Sequence, residues 1–244
     1  MIFYYEISLS IFVCFVAKKR FVYKFSFVIH SMRLLLTSSG LTNDSIANAL
    51  FDLVGKKPED TTVVFIPTAS NVESGDKDWL ITDLMNLKKQ NFKSIEITDI
   101  SAVDENIWVP SLKRADVLFF EGGNTYHLMR WLNKSGLARL LPELLKDKVY
   151  VGVSAGSMVT NPDLALKLSQ VIYDEDMVET EELSGLHFVD FYFLPHLNSA
   201  WFKKMRRENI ERVGREISRP IYALDDDSAL KIVDETIEVI SEGE

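Results

Sequence analysis

The sequence predicts an α/β fold: three layers, with a mainly parallel sheet in the middle and helices on both faces. Two observations predict it. From Met32 onward, short apolar or β-branched runs bounded by turn residues alternate with longer amphipathic stretches. Such alternation is the mark of β-α-β units, whose crossover helices cover both faces of a parallel sheet. Length agrees: 244 residues, 47% of them apolar, suffice for one sizeable core.

The first 31 residues differ from the rest. An apolar, aromatic run ends at Ala17 and is followed by Lys18, Lys19 and Arg20. A secretory signal carries its positive charge before the apolar run, not after it. The run also contains Glu6 and is shorter than the roughly 20 residues that span a bilayer. Three readings stay open: translation starts at Met32, residues 1–31 form a short membrane anchor, or they add a helix or strand to the fold. Residues 32–244 are expected to form a single domain, with no repeat, linker or low-complexity tract.

The strands expected in that domain are Arg33–Ser38, Thr62–Pro67, Ser94–Asp99, Asp116–Phe120 and Val149–Val153, each a short apolar run between turn residues. A helix is expected over Asn43–Val54, with Ile46, Ala49, Leu50 and Leu53 on one face and Asn43 or Asp44 as cap. Asp76–Asn91 repeats the pattern with Leu80, Leu84 and Leu87. Thr125–Asn133 and Gly136–Lys146 follow. In the last third an aromatic strand is expected over Phe188–Leu194. A long charged helix is expected over Ser199–Ile217, with Trp201, Met205, Ile210 and Val213 as its stripe. Ile221–Leu224, Ala229–Val233 and Thr236–Ile240 read as short strands.

Composition excludes some functions. The net charge of −9 repels phosphate backbones, so nucleic acid is not an expected partner. Cys14 is the single cysteine, so no internal disulfide and no C-x-x-C site can form. That fits a reducing compartment, and the expected location is the cytoplasm. A membrane is not an expected partner.

The motif that carries chemistry is GVSAGSM, residues 152–158. It follows a strand directly and can open a helix, the setting in which G-x-S-x-G is a nucleophile elbow. The sharp turn would push the Ser154 side chain out at the C-terminal edge of the sheet, with the Ala155 N–H aimed at the same spot. The alternative is a small residue in a structural turn. A second glycine stretch, EGGNT at 121–125, ends the strand Asp116–Phe120. Parallel strands end on one edge, so the Gly123 N–H could join that of Ala155 in an oxyanion hole. GGN lacks the spacing of a dinucleotide loop, and no Walker lysine follows it.

Serine needs a base, and the sequence has four histidines. His30 lies in the doubtful segment, His127 sits inside a helix, and His187 precedes a strand. His196 follows a strand's end in FLPHLNS, placed to meet a serine on the same edge and carrying little core packing there. A carboxylate must then fix the imidazole tautomer. Asp225, Asp226 and Asp227 in LDDD stand at another strand end, and the sequence leaves open which of them serves.

Together VFIPTAS (64–70), EGGNT (121–125), GVSAGSM (152–158), PHL (195–197) and ALDDDSAL (223–230) resemble the dipeptidase E (aspartyl dipeptidase) and cyanophycinase family of serine peptidases. The ordered set is far more specific than any one motif. The resemblance implies a flavodoxin-like fold related to class I glutamine amidotransferases, which use cysteine at the elbow. It implies Ser154 as nucleophile, His196 as general base, and Gly123 and Ala155 as oxyanion donors. The family's L-P-E-G glutamate falls on Asp226, one methylene shorter. The T-N-D segment that helps the family hold an N-terminal aspartate is absent from LKLSQVIYDEDMVE, so an Asp-X preference is not implied. Asp174, Glu175 and Asp176 in that stretch are either an amine-binding cluster or an exposed charged loop.

The expected function is a serine hydrolase acting on small peptides or related amides, with no metal or organic cofactor. An esterase or non-peptide amidase with the same triad, and a non-catalytic binding relative, are the alternatives. Dimers are common in such folds.

Overall fold

The structure, a computed structural model, describes residues 32–164, 172–173, 184–215 and 217–243. Of residues 1–31 it describes only the backbone of two short strands, β1 (Val13–Phe15) and β2 (Val22–Lys24). The core strands are β3 (Arg33–Thr37), β4 (Thr62–Ile66), β5 (Ser94–Ile97), β6 (Val117–Phe120) and β7 (Val149–Val153). They pair in parallel in the order β3-β7-β6-β4-β5. Beyond β3 the sheet continues antiparallel through β10 (Ser228–Val233), β11 (Thr236–Ser241) and β2, making eight strands.

Alternation along each strand splits the core between the two faces. Leu34, Leu36, Leu118, Phe120 and Tyr150 point to one cluster; Leu35, Val117, Phe119, Val149 and Val151 point to the other. The second face is covered by α1 (Asp44–Val54) and α3 (Asp78–Lys89), which bring Ile46, Leu50, Leu53 and Leu87. Asn43 caps α1, its side chain accepting from the Ile46 N–H at 3.0 Å. The first face takes α4 (Glu105–Arg114), α5 (Thr125–Lys134) and α6 (Leu137–Leu144), with Trp108, Leu112, Leu128, Leu132 and Leu141 buried. A short helix, α2 (Thr68–Asn71), follows β4. The result is three layers, and both faces of β6 and β7 are buried throughout.

Helix α4 was not expected from the sequence. Its apolar positions Trp108 and Leu112 are one turn apart, but Pro110 sits between them inside the helix and masks the period.

The last third departs further. Only Tyr192–Leu194 of the expected aromatic strand is regular (β8), and it pairs in parallel with β9 (Ile221–Ala223). With β1 on the other side of β9, these strands form a separate three-stranded sheet. The expected helix Ser199–Ile217 is regular only over Arg207–Gly214 (α8). Residues 199–206 turn instead, because the Arg206 guanidinium donates to the carbonyls of Ser199 (3.0 Å), Phe202 (3.1 Å) and Met205 (2.9 Å). The expected apolar stripe is broken as a result: Met205 and Ile210 are buried, while Trp201 is 89% exposed. Among the described residues no helix is long and apolar enough to cross a membrane.

Candidate active site

Strand β7 ends at Val153, and the next helix, α7 (Ala155–Met158), begins two residues later. Ser154 between them has φ 46° and ψ −107°, a conformation that costs a non-glycine residue about 1–3 kcal/mol. Hydrogen bonds to β3 hold it there. The Ser154 N–H donates to Thr37 O at 3.1 Å. Ser157 Oγ accepts from the Thr37 N–H (3.0 Å) and donates to Thr37 O (2.9 Å). Gly156 lets α7 lie on the end of β6, for a Cβ there would stand 2.1 Å from Phe120 O.

His196 follows β8 with φ 68°, its N–H donating to Ser38 Oγ at 3.2 Å. Its ring stacks on Phe202, centroids 4.2 Å apart and planes 9° from parallel. Imidazole Nδ1–H donates to Asp226 Oδ1 at 2.6 Å, which leaves Nε2 to accept from the Ser154 hydroxyl at 2.9 Å. The tautomer follows from the partners, since a carboxylate can only accept. The residue is 9% exposed, contrary to the expectation of little packing, because residues 199–206 fold over it and bring Phe202 onto the ring.

Asp226 lies in the turn between β9 and β10. Burial pushes its carboxyl up, but bonds from His196, Ser39 and Ser199 together with the nearby imidazole outweigh this and hold it below the usual range. The three aspartates part company here. Asp225 Oδ1 accepts from Ser228 Oγ (2.5 Å) and the Asp227 N–H (3.1 Å), closing the turn. Asp227 is exposed.

The glycine segment after β6 lies against the nucleophile. A Cβ on Gly122 would be 3.2 Å from Ser154 Cβ. Gly123 has φ 125°, and a Cβ there would stand 2.4 Å from Ala69 O, so only glycine fits. Among the described residues no carbonyl accepts a hydrogen bond from the N–H of Gly123 or of Ala155.

The structure therefore brings Ser154, His196 and Asp226 together at the C-terminal edge of the sheet, with Gly123 and Ala155 beside them. It places the other described histidines elsewhere: His127 against Trp131 on α5, and His187 at 3.7 Å from Asp190. His30 and the cluster Asp174, Glu175 and Asp176 lie outside the described residues.

Sequence reasoning missed Ser39 and Phe202, which touch Asp226 and His196. Ser39 donates to Asp226 Oδ1 at 2.9 Å. Its signal was present: Ser38-Ser39-Gly40 follows β3, whose end lies on the same edge as those of β6 and β7. Ser39→Ala is expected to lower kcat roughly tenfold, since it removes a hydrogen bond to a charged group. Steady-state kinetics alongside a thermal melt would check this.

Comparison with known proteins agrees with the geometry. The profile of peptidase family S51 matches residues 34–240. An uncharacterized peptidase of Listeria monocytogenes is 31% identical over 166 residues, covering 66% of this chain and 78% of that protein. Peptidase E of Shewanella putrefaciens is 27% identical over 217 residues, 85% of this chain and 87% of its own. The crystal structure of a Listeria monocytogenes protein assigned as peptidase E superposes with a TM-score of 0.72 at 26% identity. It covers 87% of this chain and all of that one. With this match and its own three-layer, flavodoxin-like fold, the chain belongs to peptidase family S51, the dipeptidase E family of serine peptidases.

Proposed function

We propose that this peptidase hydrolyses short peptides or related amides through Ser154, His196 and Asp226. The observation that carries the reading is the continuous chain Ser154 Oγ, His196 and Asp226, with bonds of 2.9 and 2.6 Å. His196 Nε2 takes the hydroxyl proton as Ser154 Oγ attacks the carbonyl carbon. The tetrahedral oxyanion sits between the N–H groups of Gly123 and Ala155, each worth about 3–4 kcal/mol in a preorganised hole. The imidazolium then protonates the leaving amine, and the C–N bond breaks. A water attacks the acyl ester with His196 again as base, which releases the acid and restores Ser154. Asp226 stays ionised throughout, holding Nδ1–H and stabilising the imidazolium.

The test is labelling with a fluorophosphonate probe, followed by a dipeptide-library screen with a Ser154→Ala control. Labelling of the wild type and its loss in the variant are expected. A folded wild type that takes no label would overturn the reading. Gly123→Ala is expected to cut kcat about 100-fold or more, because the new Cβ must push the donor away from Ala69. Circular dichroism of that variant separates a displaced turn from an unfolded chain.

A further inference from the structure

Glu121 directly follows β6 and precedes Gly122, which abuts Ser154. It is fully buried. Its Oε1 accepts from the Gly122 N–H at 2.9 Å. Its Oε2 is buried without a hydrogen-bond partner of ordinary geometry, and the ionisable group beside it is the Asp83 carboxyl of α3. Asp83 fits there because Gly40 lacks a side chain: a Cβ on Gly40 would lie 3.2 Å from Asp83 Oδ1.

Among the described residues no cation pairs with these carboxyls. The charged group that bears on Asp83 from the neighbouring turn is Asp226, also acidic. Glu121 is buried and Asp83 half-buried, so ionising both at once is disfavoured and the pair holds one proton. Burial raises Asp83 to about 7, and burial with the nearness of Asp83 raises Glu121 well above the usual range. A protonated Glu121 donates from Oε2 toward Asp83 while Oε1 accepts from Gly122, which gives the orphaned oxygen a partner.

We propose that the proton shared by Asp83 and Glu121 fixes the Gly122–Gly123 turn against Ser154, making Glu121 a positioning residue for the oxyanion donor. This rests on the role given above to Gly123. Loss of the proton sets two charges against each other beneath the turn and moves the Gly123 N–H. The effect falls on the rate of attack, on the alkaline side.

The experiment measures the second-order rate of Ser154 labelling by a fluorophosphonate between about pH 5 and 10. In that step Oγ bonds to phosphorus, fluoride leaves, and the hydroxyl proton passes to His196. Wild type is expected to lose rate on the alkaline side. Glu121→Gln keeps both hydrogen bonds without a dissociable proton. It is expected to label within about threefold of wild type at neutral pH and to lose the alkaline fall. Asp83→Asn, which removes the repulsion, should flatten the profile likewise. Glu121→Leu should label roughly tenfold or more slowly at every pH. A wild type without an alkaline fall, a Glu121→Gln profile that overlays the wild type, or a folded Glu121→Leu that labels normally would each overturn the proposal. If Glu121→Leu fails to fold, the Glu121→Gln profile decides alone. A folded wild type that never labels would instead sink the assignment of Ser154.

Discussion

Ser154→Ala is expected to lower kcat by about six orders of magnitude and to leave the fold in place. The size follows from the way such residues act as a unit: once the nucleophile is gone, the base and carboxylate have nothing to activate. What survives is the rate that the oxyanion donors and binding give an attacking water, about 10³–10⁴ over the uncatalysed reaction. The stability cost is small by comparison. Removing Oγ deletes one hydrogen bond, to His196, worth about 1 kcal/mol. The strained backbone is held by Thr37 and by the Ser157 bonds, none of which uses the Ser154 side chain. Steady-state kinetics and urea unfolding of the same preparation check both halves. A variant with more than a hundredth of wild-type activity, free of contaminating enzyme, would mean that another group attacks.

Asp226→Asn is expected to cost about 10⁴ in kcat. The amide can turn its NH₂ toward Nδ1, which then becomes the acceptor, and the ring proton moves to Nε2. Nε2–H can no longer take a proton from Ser154. Phe202 keeps the ring stacked, so the loss is one of tautomer rather than of position. The same substitution has a signature in stability against pH. The folded Asp226 carboxyl sits below its ordinary value, so its stabilisation is present above the ordinary carboxylate range and is lost as pH falls through the depressed value. Wild type should therefore lose stability in acid more steeply than Asp226→Asn. Thermal melts of both proteins between about pH 2 and 6 would show the curves converging at the acid end.

The parts legible in the sequence are those whose burial is uniform. Strands β3, β6 and β7 read as unbroken apolar runs because helices cover both faces, and their ends fix where Ser154 and Gly123 sit. In the small sheet β9 falls on the expected Ile221–Leu224, while β8 keeps only the last three residues of the expected Phe188–Leu194. The turn at 199–206 depends on Arg206 reaching back to three carbonyls, a tertiary choice that overrides a helical pattern. Which aspartate meets His196 was undetermined for a similar reason: the turn sends Asp225 to Ser228 and Asp226 to the imidazole. Asp83 and Glu121 are 38 positions apart, and only the packing of α3 on the sheet brings them together.

Asp226 stands where the chain leaves the small sheet and enters the large one, between β9 and β10, and His196 comes off the small sheet as well. Ser154, by contrast, belongs wholly to the large sheet. The proposed triad thus draws on both sheets, and neither carries it alone. Separating the two sheets is expected to take the proposed triad apart even where the main sheet stays folded.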